Sequence, residues 1–185
     1  MPSLSEAERR SALQLARTAV VEAVTHQNLP DHLPHNGIFA QRRGVFVTLQ
    51  VRNRLQGCIG VVEANEPLGE AIVRCAASAA REDPRFAPMK VEQLGELGIE
   101  ISLLSEVAPI IPDAIEIGRH GLLIVLQGRR GILLPQVAVE HQFSREQFLE
   151  ETCRKAGLPR EAWRDPEARI FGFTCEVFHE DGPAV

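Results

Sequence analysis

Twice in this chain a run of alternating apolar residues is closed by a basic turn and answered by a second apolar run, and this repetition limits the fold more than any single motif. In residues 44–50, Val45, Val47 and Leu49 alternate with Phe46, Thr48 and Gln50, the period of two of a half-buried strand. Val51-Arg52-Asn53-Arg54 supplies a polar turn, and residues 55–62 supply the returning strand. The pattern restarts 77 residues later, where Gly121-Leu122-Leu123-Ile124-Val125-Leu126-Gln127 matches Gly44-Val45-Phe46-Val47-Thr48-Leu49-Gln50 and Arg129-Arg130 falls at the basic turn. The pattern predicts two related hairpin-plus-helix units, at about 44–104 and 121–178, sharing one mostly antiparallel sheet with helices on its outer face.

The intervening segments read as helices and stops. Residues 5–27 form an amphipathic helix opened by the capping box Ser5-x-x-Glu8 and ended by Asn28 and Pro30. Residues 28–37, with two prolines and two histidines, form a loop. An Ala-rich helix covers 68–81, a short helical stretch covers 91–97, and Ile99-Glu100-Ile101-Ser102-Leu103 is a strand whose polar alternates are Glu100 and Ser102. In the second half, residues 132–134 return the hairpin, Ser144-x-x-Gln147 caps a helix that Gly157 stops, and residues 169–178 form a closing strand.

At 185 residues the chain can bury a substantial core as a single domain without disulfides. Cys58, Cys75, Cys153 and Cys175 are widely spaced and form no Cys-x-x-Cys pair, which points to reduced thiols. The N-terminus has no secretory pattern and no stretch is apolar enough to span a bilayer, so the expected location is the cytoplasm. A net charge of −5 argues against binding nucleic acid through bulk positive field, and with no Tyr and one Trp a base-stacking platform would rest on Phe. There is no phosphate-binding Gly-x-x-x-x-Gly-Lys-Ser/Thr loop and no dinucleotide fingerprint, so no cofactor is indicated. His32-x-x-His35 sits in a proline-bearing loop and reads as polar surface rather than a metal site.

Leu55-Gln56-Gly57-Cys58-Ile59-Gly60 is the segment with the most chemical content. Glycines in a strand weaken it, so Gly57 and Gly60 imply a bulge or something lying close against the backbone, either a ligand or another element of the chain. Cys58 is accordingly either a small core residue or a thiol at a site. As a nucleophile it would need an activating cation or imidazole. His120, just before the second-half strand, is the candidate base, with His141 behind it. Arg85 in Asp83-Pro84-Arg85-Phe86 could anchor an anion, or the segment could simply stop a helix. Glu100 and Ser102 share a strand face that could line a cleft or meet solvent. Arg52, Arg54, Arg129 and Arg130 would form two basic hairpin tips.

Taken in order, Phe46-Val47-Thr48-Leu49, Leu55-Gln56-Gly57-Cys58-Ile59-Gly60, Asp83-Pro84-Arg85-Phe86, Gly118-Arg119-His120-Gly121-Leu122, Leu133-Leu134-Pro135-Gln136-Val137-Ala138 and Lys155-Ala156-Gly157-Leu158 resemble the AMMECR family, whose bacterial members are called AmmeMemoRadiSam system protein A. The resemblance implies an α+β fold with two repeats around a barrel-like sheet, and a family whose biochemical activity is not established. It implies pathway partners of the Memo-like and radical S-adenosylmethionine kinds, with any iron-sulfur chemistry belonging to the partner. Cys58 and His120 are the candidate catalytic residues, and Gly57, Gly60, Arg85, Glu100, Ser102 and Gln136 the candidate substrate contacts. The family signature usually reads Leu-Arg-Gly-Cys-Ile-Gly, so Gln56 here removes a charge next to Cys58, and Phe143 stands where Trp is frequent. The expected function is a small-molecule or modified-substrate site around Cys58, with thiol-dependent catalysis. The alternative is a non-catalytic adaptor, with RNA binding through the basic tips behind it.

Overall fold

A computed structural model describes residues 4–30 and 33–180. It is a mixed α/β structure whose strands pair into two four-stranded antiparallel sheets. The single shared sheet expected from the repeat is corrected by this pairing, and neither sheet closes into a barrel. The chain divides into two compact units, one of residues up to 103 together with those from 176, the other of residues 104–175.

In the first unit, helix α1 (Glu6–Thr25) starts at Ser5, whose side chain accepts the Glu8 N–H while Glu8 accepts the Ser5 N–H. This is the predicted capping box. The hairpin consists of β1 (Val45–Val51) and β2 (Arg54–Val61). Its two turn residues, Arg52 and Asn53, both have positive φ, as a two-residue turn matching strand twist requires. Helix α2 (Leu68–Arg81) follows, then a 3₁₀ segment at Val91–Glu96 and β3 (Leu97–Leu104). The sheet order is β2-β1-β3-β8, with β8 at Cys175–His179. Val45, Val47, Leu49, Ile99, Ile101 and Leu103 fill the face packed on α2, against which α1 packs in turn, and the alternate residues of β1 form the opposite face.

Strand β2 is bulged. Leu49 lies opposite Gly57 but Gln50 lies opposite Leu55, so Gln56 is the extra residue. A regular strand would put Arg54, Gln56 and Cys58 on one face. The bulge instead aligns Leu55 with Cys58, and Gln56 turns to the following loop, donating to the Ala87 carbonyl at 3.0 Å and accepting from Gln93 at 3.4 Å.

The second unit holds β4 (Ala108–Pro109), β5 (Gly121–Leu126), β6 (Arg129–Leu133) and β7 (Arg169–Phe173) in the order β4-β7-β5-β6. Helices α3 (Pro135–Glu140) and α4 (Arg145–Lys155) accompany them, α4 carrying the predicted Ser144–Gln147 capping box. The turn of this hairpin is Gln127-Gly128, both at positive φ, so Arg129 and Arg130 belong to β6 and not to a basic tip. Residues 169–178, expected to be one strand, are two. The chain breaks at Thr174, whose N–H donates to the Ser105 hydroxyl while its carbonyl accepts the Ser105 N–H, both at 2.9 Å. Those bonds take Thr174 out of either ladder, and the strand pairs with one sheet before the break and the other after it. Among the described residues no helix is long and apolar enough to cross a membrane.

Candidate functional site

Cys58 sits on β2, the edge strand of the first sheet, directly opposite Thr48, which in turn lies opposite Glu100 on β3. Side chains at paired positions share a face, so these three form one row across the sheet. The Thr48 hydroxyl donates to Cys58 Sγ at 3.3 Å. The next row is Gly60, Phe46 and Ser102. The half-buried Cys58 therefore belongs to the face opposite the packed core, and Ser102 on that face is buried.

The peptide at Cys58 is gripped from outside the sheet. Its N–H donates to Asp83 Oδ2 at 2.9 Å, and its carbonyl accepts from Arg85 at 3.1 Å. Arg85 also donates to both oxygens of Asp83, at 2.9 and 2.7 Å, and its backbone N–H donates to Asp83 Oδ1 at 3.1 Å. An edge strand leaves backbone groups unpaired, and Asp83-Pro84-Arg85 supplies the missing donor and acceptor at this one residue. The Asp83 side chain is 2% exposed and that of Arg85 is 51% exposed. The Arg85 guanidinium holds the Asp83 carboxyl far below the usual carboxylate range, the Cys58 and Arg85 N–H groups add to this, and burial opposes it. The same pair raises the Arg85 pKa. The guanidinium lies 5.3 Å from the centre of the Phe86 ring, completing the four-residue motif as a structural clamp.

The two glycines beside Cys58 have packing reasons. A Cβ on Gly57 would come within 2.9 Å of the Ala79 carbonyl carbon in α2, and closer still to its oxygen. A Cβ on Gly60 would lie 2.6 Å from the Val45 carbonyl oxygen and would clash with the edge of the Phe46 ring. Close approach of the chain to itself accounts for both residues.

His120 and Gln136 lie in the second unit. His120 closes a turn in which its Nδ1 accepts the Glu116 N–H at 3.0 Å. With Nδ1 accepting, a neutral ring carries its proton on Nε2. That tautomer offers a donor there, not a base. His120 lines a hollow of about 200 Å³ with Ser105, Glu106 and Thr174. Gln136 is half-buried in the first turn of α3. His32 lies outside the described residues, so the His32-x-x-His35 spacing has no geometry here.

Sequence reasoning passed over Asp83 and Thr48. Asp83 was legible only as part of a helix stop, because nothing in a linear sequence tells that a carboxylate two residues past a helix will reach an edge strand 25 positions earlier. Thr48 was visible as a polar alternate, and only register reveals its partner.

Cys75 and Cys153 are buried, whereas Cys58 is half-buried. Burial pushes the Cys75 thiol up to about 11, partly offset by Arg74, and burial pushes Cys175 up to about 12. Cys153 is fully buried and also raised, mainly by burial. A folded-state iodoacetamide time course followed by mass spectrometry should therefore show Cys58 modified before Cys75 and Cys153. Simultaneous labelling of all three would contradict this exposure pattern.

The AMMECR1 family model matches residues 13–178. The chain is 43% identical to a protein of Methanothermobacter thermautotrophicus, with 97% of both chains covered. It is 39% identical to a protein of Aquifex aeolicus, covering 94% of this chain and 93% of that one. The crystal structure of an uncharacterised protein from Pyrococcus horikoshii, 36% identical, superimposes with a TM-score of 0.89 over 97% of this chain and 95% of the other. With the matched segment running from within α1 to the end of β8's apolar core, this chain belongs to the AMMECR1 family.

Proposed function

We propose that the face around Cys58 is a ligand site for a small molecule or a modified substrate, with Cys58 as the contacting or attacking thiol. The observation that carries this reading is the half-buried Cys58, whose sulfur accepts from the Thr48 hydroxyl at 3.3 Å, on a peptide fixed at both its N–H and its carbonyl. A core thiol needs no such fixing, whereas a reacting group gains from being held in one geometry. Glu100 in the same row is the polar neighbour of this site, and Arg85 serves it by positioning Cys58. The reading sets the protein in a cytoplasmic pathway with Memo-like and radical S-adenosylmethionine proteins. It also takes the two hairpin-plus-helix units as descendants of one duplicated unit, supported by matching two-residue turns and by a glycine in each returning strand, Gly57 admitting the backbone of α2 and Gly131 the backbone at the end of α4.

The test is intact-mass spectrometry of the protein and its Cys58→Ala variant after incubation with a fractionated small-molecule extract, with iodoacetamide protection as a second readout. An adduct on Cys58, or protection of it by a retained compound, is expected for the native chain, with neither seen in the variant. The absence of both removes the reading. Its rival is an adaptor that docks a pathway protein through the first hairpin tip, where Arg52, Asn53 and Arg54 are all exposed. Charge reversal at Arg52 and Arg54 would then abolish capture of a Memo-like partner, and Cys58→Ala would leave capture intact.

A further inference from the structure

Among the glycines whose surroundings are described, all but two are explained by contact or by conformation. Gly57, Gly60, Gly69, Gly121, Gly131 and Gly172 each have a neighbour that a Cβ would strike, and Gly37, Gly118, Gly128 and Gly157 have positive φ. Among the glycines whose surroundings are described, Gly95 and Gly98 have neither. Their φ values are ordinary, and a Cβ on either would meet nothing within 4 Å. Both line the same hollow.

That hollow, of about 710 Å³, lies at the hairpin-turn end of the first sheet. Its size falls in the range of small-molecule sites. Gly98 on β3 pairs with Gln50 on β1, and with Glu100 they make the floor. Two ion pairs stand around it. Arg17 is fixed, donating to Glu180 at 2.6 Å and to the Leu97 carbonyl at 2.7 Å. Arg52 bonds Glu96, and both side chains are exposed, at 77% and 43%. An exposed pair of this kind contributes little and exchanges readily. Glycine inside a strand weakens it and marks a bulge, a bend, or the close approach of another backbone or a ligand, and at Gly98 no protein atom beyond its chain neighbours lies within 4 Å of where a Cβ would sit.

We propose that this hollow binds a small zwitterion, a free α-amino acid or short peptide, over the bare floor at Gly98. The ligand's carboxylate takes Arg52, its ammonium takes Glu96, and the exposed ion pair opens into two new ones of the same chemistry. Charge is conserved, so a ligand carrying only one of the two groups leaves a partner unmatched. Arg17 and Glu180 keep their mutual bond and act as a wall. Cys58 does not line the hollow, and the two readings share only Glu100, so loss of one leaves the other testable.

The experiment is calorimetric titration of the full chain with free L-amino acids and glycyl dipeptides, which detects sites as weak as a Kd of about 1 mM. Their N-acetyl and methyl ester derivatives serve as singly charged controls. At least one zwitterion should bind saturably, at least tenfold tighter than both of its derivatives, and binding should survive Cys58→Ala. Gly98→Val should weaken it at least tenfold while raising the melting temperature by about 1–3 °C, because a β-branched residue suits an open strand position better than glycine. No saturable binding, equal binding of the capped derivatives, unaltered binding in Gly98→Val, or a melting temperature lowered by that substitution would each overturn the proposal.

Discussion

Gly57→Ala is expected to destabilise the protein by about 3 kcal/mol or more, the upper range for overpacking a core. The added methyl would sit 2.9 Å from the Ala79 carbonyl carbon and nearer to its oxygen. Both are helix backbone, so no side-chain rotation relieves the contact. Helix α2 would have to lift from β2. It is anchored on its other side by α1 and carries Leu68, Ile72, Cys75, Ala76 and Ala79 in the core, so lifting opens space around well-packed side chains. At about 2–4 °C per kcal/mol for a chain of this size, the melting temperature should fall by roughly 6–12 °C. Thermal unfolding followed by circular dichroism measures this directly. A loss below about 1 kcal/mol would mean that α2 can slide on the sheet without penalty. Gly98→Ala is the matched control, since its methyl enters open space.

The strand periods, both capping boxes and the Ala-rich helix were legible because each depends on neighbours within a few residues. The alternation of Val45, Val47 and Leu49 with Phe46, Thr48 and Gln50 gave β1 its buried face directly. What the sequence could not tell is which strand pairs with which. Residues 169–178 look like one apolar run, and only the Ser105–Thr174 bonds, between positions 69 apart, divide it between two sheets. The bulge at Gln56 is similarly silent. Its consequence is large, since it removes Gln56 from the row of Cys58 and so makes the departure from the family's Arg a matter of how the loop at Ala87 is tied down. Cys58 was found from its unusual flanks, although those flanks turn out to serve packing. The site we propose rests on the polar row and the clamp, which depend on register and on a long-range carboxylate.

That carboxylate gives the second large effect. Asp83→Asn is expected to destabilise the fold by about 3 kcal/mol, at the lower end for breaking a buried ion pair because Arg85 is half exposed and can be hydrated. An amide keeps the shape, yet it has one acceptor oxygen for the Cys58 N–H and the Arg85 donors that now share two. The effect must depend on pH. Because the folded-state pKa of Asp83 is depressed, its stabilisation is present above the unfolded value of about 3.9 and is lost as pH falls toward the folded value. Urea unfolding at a series of pH values should therefore show a full gap between native chain and variant at neutral pH, and a narrowing gap below about pH 4. A gap that stays constant into acid would mean that the charge of Asp83 does not hold the clamp. The same substitution frees the Cys58 peptide, so the Cys58 alkylation rate should change in Asp83→Asn even at temperatures where the variant is fully folded. A merely stabilising ion pair would leave that rate unchanged, and the two readouts together separate a clamp that positions the thiol from one that only protects a sheet edge.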